Sequence, residues 1–295
     1  MSKYIFTIVG GIGDILLGFS GINNLLKQFK EEELKCICAS HYKDAEILLK
    51  NFNFEKQFYN YSNSFEFQDV ILPKLEALSN YENYLGDVNI FNTTIYPDIE
   101  INENDKYKAE KIIMNYEKLF EQNDNKVHLV GIHPFGSKFS NDYLTSVRRV
   151  PNKYIEPRMI AYLIKEIRKI RKNVVFAIFG SKEEEFFYDF IKEALPEKST
   201  IPVFNNNIWK SLAFVDFCHM MICADSAIKT YSCIKKIPTI VLLGDYEDRV
   251  RDSKFIKPYE KDHIMKVIKF KSEIKNYIMD SVKDETIKIL GKTLY

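Results

Sequence analysis

Two short stretches hold residue types that could do chemistry. Gly10-Gly11-Ile12-Gly13-Asp14 places a carboxylate behind a glycine-rich break in apolar text. Asp225-Ser226-Ala227-Ile228-Lys229-Thr230 places hydroxyls and a cation behind a second apolar run. The first suits proton abstraction, since a positioned carboxylate accepts the proton of a hydroxyl as that hydroxyl becomes nucleophilic. The second suits anion binding, because small residues at a helix start expose backbone N–H groups where the helix end is partly positive. Lys229, one turn in, adds charge in this reading. Arg148 and Arg149, in text without helical periodicity before Pro151, bring planar donors matched to phosphate oxygens. Each group also has a plainer reading: Asp14 as a helix cap, and Asp225 or Ser226 as the cap of an ordinary strand-to-helix turn. Both pairs of readings stay open at this point.

The surrounding elements decide which way these residues face. Tyr4 to Val9 is a buried-strand run, and Ile15, Leu16, Phe19, Ile22, Leu25, Leu26 and Phe29 recur at helical spacing, so Asp14 sits where strand becomes helix. Open parallel sheets bind ligands beyond the carboxyl ends of their strands, which puts Asp14 at a crevice by topology. A nicotinamide cofactor fits poorly. Leu16 occupies the third glycine position of the dinucleotide fingerprint, and the next strand ends in Cys36 and Cys38 rather than in an acidic residue.

The rest of the chain alternates apolar strands with amphipathic helices in two halves, which implies an α/β protein with two parallel sheets. The expected domains are residues 1–125 and 126–270, two Rossmann-like lobes facing across a cleft, with a helix in 271–295 packing back on the first. The first half contains strands at 4–9 and 34–39, a helix at 44–51 and a long helix at 106–120. Its aromatic section from Phe52 to Phe67 reads as a loop-rich surface whose rings pack a core or stack on sugars or bases. The second half offers strands at 127–132, 174–179, 201–204, 219–223 and 239–243, with helices at 156–171, 183–194, 209–214 and 226–235. Asp262 to Tyr295 reads as helical, with no strand of its own.

Composition narrows the class. The chain has 295 residues, 46% of them hydrophobic, ample for packed cores, and its net charge of +1 argues against a protein built mainly to hold nucleic acid. The charge is uneven: between Lys126 and Lys172 stand eleven Lys or Arg against Asp142, Glu156 and Glu166, so an anionic ligand is expected there. The five cysteines lie in apolar text and read as buried thiols, not a disulfide framework. Neither Cys36-x-Cys38 nor the five histidines give metal-ligand spacing, so no metal site is expected. No apolar run reaches the roughly 18 to 20 residues that span a bilayer, and the start lacks a secretory pattern, which leads to a cytoplasmic expectation.

Taken in order along the chain, these motifs resemble the heptosyltransferase-like glycosyltransferases of family 9. Gly13-Asp14 and its apolar helix look like that family's opening Gly-Asp turn. Ile132-His133-Pro134-Phe135-Gly136-Ser137 looks like its His-Pro-Gly-Ala/Ser turn, and Arg148-Arg149-Val150-Pro151 like its Lys-Arg-Trp-Pro stretch. Val175 to Gly180, with Glu184 nearby, is similar to its strand and Gly turn. Asp225-Ser226-Ala227 through Pro238 to Leu243-Gly244 is similar to its Asp-Thr-Gly-x-x-His helix and following strand. The departures are Thr230 where the family has a phosphate-contacting His, Ala227 for Gly, and Arg148 for Lys.

The resemblance implies a GT-B fold and an inverting, metal-independent sugar transfer from a nucleotide-diphosphate sugar to an acceptor hydroxyl. Asp14 would be the general base, and Gly13, Ser137, Arg148, Arg149, Gly180, Asp225, Ser226, Ala227, Lys229 and Thr230 would bind the donor. No cofactor is implied beyond the nucleotide sugar as co-substrate. The acceptor would be a glycan, as in lipopolysaccharide biosynthesis, with protein or DNA as alternatives and with peripheral membrane contact. Two other readings share the anion site: a sugar-nucleotide epimerase or hydrolase, which needs no acceptor, and a degenerate transferase kept as a binding protein.

Overall fold

The computed structural model describes residues 4–40, 44–61, 66–88, 94–118, 127–135, 154–195, 199–205, 207–244, 256–270 and 276–292. The chain divides into two compact units, Met1–Glu100 and Ile101–Tyr295.

The first unit is a parallel sheet of β1 (Tyr4–Val9), β2 (Leu34–Ser40), β3 (Glu55–Asn60) and β4 (Tyr84–Asp87) in the order β3-β2-β1-β4. Phe6, Ile8, Cys36, Cys38 and Ala39 are buried because β1 and β2 are interior strands covered on both faces. Helix α1 (Ile12–Leu26) connects β1 to β2 and buries Ile15, Leu16, Phe19, Ile22 and Leu25 at the expected spacing. Helix α2 (Asp44–Leu49) connects β2 to β3, and a π turn at Phe67–Ile71 leads into α3 (Leu72–Leu78) before β4.

The second unit is a six-stranded parallel sheet in the order β10-β9-β8-β5-β6-β7. Its strands are β5 (His128–His133), β6 (Val174–Gly180), β7 (Thr200–Phe204), β8 (Met220–Ala224), β9 (Thr239–Leu243) and β10 (Met265–Lys269). Helix α4 (Glu103–Glu117) opens the unit; the side chain of its N-cap Asn102 accepts from the Asp105 backbone N–H at 2.9 Å. Helices α5 (Pro157–Ile170), α6 (Phe186–Glu193), α7 (Ile208–Val215), α8 (Ala227–Ile234), α9 (Lys257–Lys261) and α10 (Asn276–Lys292) follow in chain order. Ile160, Leu163, Ile164 and Ile167 form the inner stripe of α5 and join Val130, Ile132, Phe176 and Ile178 of the sheet in one core. No described helix is long and apolar enough to cross a membrane.

In both units the first strand lies between its successor and a later strand, β2-β1-β4 in one and β6-β5-β8 in the other. The chain direction across the sheet reverses beside that strand, which opens a crevice at the carboxyl ends of β1 and β5.

Four expectations are corrected. The section from Phe52 to Phe67 contains strand β3 in place of a loop-rich surface, while the core reading of its rings holds for Phe54, which is only 2% exposed and lies edge-on to Phe6 with ring centroids 5.3 Å apart. Strand β10 lies within the segment read as wholly helical, paired to β9 from Met265↔Thr239 to Lys269↔Leu243. The unit boundary falls at 100/101 instead of 125/126, because α4 buries Ala109 and Ile113 and packs against α7. The closing helix α10 packs on α5 within the second unit rather than on the first. Its Ile278, Met279, Val282 and Leu290 belong to the second unit's core, and Tyr162 donates a hydrogen bond to Asp280 at 2.9 Å. The five cysteines are free and buried.

Candidate functional site

At the crevice of the first unit, β1 runs into Gly10 and Gly11 and α1 begins at Ile12, so Asp14 occupies the third helical position. The Gly11 N–H donates to Asp14 Oδ2 at 3.0 Å, closing a loop that fixes the carboxylate over the strand end. Asp14 is half-buried, as is Gly13 beside it. Gly10 makes this placement possible. Its φ of +133° lies in the region that favours glycine, and a Cβ there would lie 2.4 Å from Asp14 Oδ2. Gly10→Ala should therefore cost about 1–3 kcal/mol in chemical denaturation, from backbone strain alone, and should shift the carboxylate. An alanine variant as stable as the parent would refute this account of the turn.

At the crevice of the second unit, β5 ends in His133 and neighbouring β8 leads through Asp225 and Ser226 into α8. Ser226 is the N-cap: extended at φ −151°, it accepts the Lys229 backbone N–H on Oγ at 3.2 Å. His133 Nδ1 is hydrogen-bonded to the same Oγ at 2.9 Å, tying the end of β5 to the start of α8 across the switch point. Burial pushes the His133 imidazole down to about 3, so it is neutral at ordinary pH. Ala227 begins the helix proper.

The remaining polar groups of this turn bond within it. Lys229 Nζ lies 2.7 Å from Asp225 Oδ1, and its side chain is 1% exposed against 19% for Asp225. Thr230 is buried, and its Oγ1 donates to the Ser226 carbonyl at 3.3 Å. Gly180 ends β6, where a Cβ would stand 2.5 Å from the Phe204 ring; the next N–H, of Ser181, donates to buried Glu184 at 2.7 Å. Ser137, Arg148 and Arg149 lie outside the described residues. Asp14 thus belongs to the first unit, while Gly180, Asp225, Ser226, Ala227, Lys229 and Thr230 gather at the carboxyl edge of the second.

By sequence, no family model matches the chain and no curated protein does. Among solved structures, ADP-heptose LPS heptosyltransferase II of E. coli is similar over 99% of this chain and 100% of its own, with a TM-score of 0.63 at 13% identity. The chain has the heptosyltransferase fold. A glycosyl transferase of family 9 from Veillonella parvula is similar over 99% of this chain and 97% of its own, at TM-score 0.57 and 10% identity. E. coli heptosyltransferase WaaC, solved with ADP, matches over 97% and 99%, at 0.54 and 10%. A UDP-N-acetylglucosamine 2-epimerase, described as putative, from Listeria monocytogenes matches over 99% and 89%, at 0.54 and 11%. The heptosyltransferase fold is therefore present here at identities where little sequence is shared.

Within this fold the residue that sequence reasoning left without a role is His133. It was visible only as part of a turn motif, because its bond to Ser226 spans 93 residues and depends on β5 and β8 being neighbours.

Proposed function

We propose that the chain transfers a sugar from a nucleotide-diphosphate sugar to an acceptor hydroxyl, in one inverting and metal-independent displacement. The reading is supported by one observation above all. Over 97–99% of its length the chain has the fold of heptosyltransferases, one of them solved with ADP, and those candidate residues that lie among the described ones sit at the carboxyl edges of the two sheets.

In this reading Asp14 accepts the proton of the acceptor hydroxyl as its oxygen attacks the anomeric carbon. The bond from that carbon to the phosphate oxygen breaks, and the nucleoside diphosphate leaves with the electron pair. The amides at the start of α8 and the guanidinium of Arg148 hold the charge that develops on the leaving oxygens. Gly13, Ser137, Arg149 and Gly180 shape the donor site. Lys229 acts indirectly by neutralising Asp225, and Thr230 by bracing the turn. The chain contains no Asp-x-Asp pair for a metal-held diphosphate. A glycan is the proposed acceptor and the cytoplasm the proposed compartment.

Thermal unfolding with ADP, UDP, GDP or CMP should raise the midpoint for one nucleotide, and Arg148→Ala should lose that shift, since a ligand bound only to the folded state stabilises it. A midpoint unmoved by all four would set the transferase reading aside. The similarity to the 2-epimerase supports a second reading on the same fold, conversion of the sugar nucleotide itself, for which turnover without any acceptor is the discriminating assay.

A further inference from the structure

We infer that His133 is a donor-binding residue, presenting a neutral Nε2–H to a phosphate oxygen of the nucleotide while Ser226 holds the other ring nitrogen. The inference rests on the reading that the second unit binds the nucleotide diphosphate.

The hydrogen bonds at Ser226 favour one tautomer. Its hydroxyl already accepts the Lys229 N–H at 3.2 Å, and the other neighbour of Oγ is His133 Nδ1 at 2.9 Å. Were Nδ1 protonated, the hydroxyl would accept twice and its own proton would have no acceptor among the described residues. With Nδ1 as acceptor, the hydroxyl of Ser226 both accepts and donates, and the ring proton sits on Nε2. Among the described residues no protein group accepts from Nε2, and His133 keeps part of its surface exposed at the carboxyl end of β5. Phe135, with its ring perpendicular to the imidazole and centroids 6.2 Å apart, flanks the ring on its own strand end.

The location gives this N–H a use. It stands beside β8 at the switch point, where the first turn of α8 opens and where an open sheet takes its ligand. Lys229 is bound to Asp225 and Thr230 to the Ser226 carbonyl, so the polar side chains of this turn are engaged with one another. A neutral imidazole donor costs less to desolvate than a cation, and its strength does not change with protonation in the physiological range.

Two measurements test this. In the wild-type chain labelled with 15N-histidine, with His133 assigned by its loss in His133→Gln, the ring should be in the Nε2–H form. Its Nε2 signal should move when the nucleoside diphosphate that binds is added. In calorimetry, His133→Ala should weaken that nucleoside diphosphate roughly tenfold or more, as for loss of a hydrogen bond to a charged group, and leave the corresponding nucleoside unchanged. His133→Gln, which keeps an N–H donor, should recover part of the loss. Wild-type affinity should be flat between about pH 5 and 8 once the phosphate's own titration is allowed for.

An Nδ1–H tautomer, or an Nε2 signal indifferent to the diphosphate, overturns the inference without requiring any variant to bind. Undiminished diphosphate affinity in His133→Ala, alongside a loss in Arg148→Ala, overturns it while the donor site stands. Absence of nucleotide binding in the wild type overturns both.

Discussion

Asp14→Asn is expected to lower sugar-transfer turnover by roughly 10²- to 10⁴-fold, the range for removing a general base, with nucleotide affinity unchanged. The asparagine is the informative substitution because of what the carboxylate already does in the fold. Oδ2 accepts the Gly11 N–H at 3.0 Å, and an amide oxygen can accept the same bond, so the turn keeps its shape while the group loses its basicity. Asp14→Ala removes the bond as well and should additionally destabilise the start of α1 by about 0.5–1.5 kcal/mol. The two variants therefore separate the two readings of this residue. If Asn retains full turnover and only Ala is impaired, Asp14 is a cap and the base lies elsewhere. Nucleotide affinity is the internal control, because in the proposed mechanism Asp14 takes the acceptor's proton and does not hold the nucleotide.

The elements that escaped sequence reading have a common physical origin. Among the described residues, strands β3, β4 and β10 are all sheet edges, each hydrogen-bonded to a neighbouring strand on one side only. An edge strand needs apolar residues on fewer positions and carries polar ones that discourage further pairing. Thus Glu55-Lys56-Gln57-Phe58-Tyr59-Asn60 has half-buried or exposed positions throughout, and Tyr84-Leu85-Gly86-Asp87 is half-buried at all four. Interior strands such as β6, buried at all seven positions, declare themselves as unbroken apolar runs. The displaced boundary and the docking of α10 are tertiary choices. Helical periodicity in α4 and α10 tells that one face is buried, but not in which unit.

The candidate site was legible to the extent that its members are neighbours in sequence. Glycines followed by Asp14, and Asp225 followed by Ser226, are local patterns whose geometry is set within one turn. Lys229 was legible as a cation but not as a committed one, because the four-residue spacing does not tell whether an acid ahead of the cap and a lysine in the first turn pair or part. The His133–Ser226 bond was not legible at all, since sheet order places it.

Lys229→Met should destabilise the second unit by about 3 kcal/mol, near the lower end of the cost of breaking a buried ion pair. The lower end applies because Asp225, at 19% exposure, keeps some contact with water after its partner is gone, whereas Lys229 is almost fully enclosed. The cost arises from the half-buried carboxylate losing its lysine more than from the pair's net worth, so Asp225→Asn/Lys229→Met should recover most of it, measured as a double-mutant cycle in denaturant. The same cycle carries a functional consequence under the proposed donor site. An Asp225 carboxylate that has lost its lysine, at the mouth of α8, repels a diphosphate more strongly, so the single variant should bind nucleotide more weakly than the double one, most clearly at low salt. Equal affinity in the two would mean that Asp225 does not face the ligand and that the pair is purely architectural. A single variant as stable as the parent would mean that the lysine's buried position contributes nothing to the turn it spans.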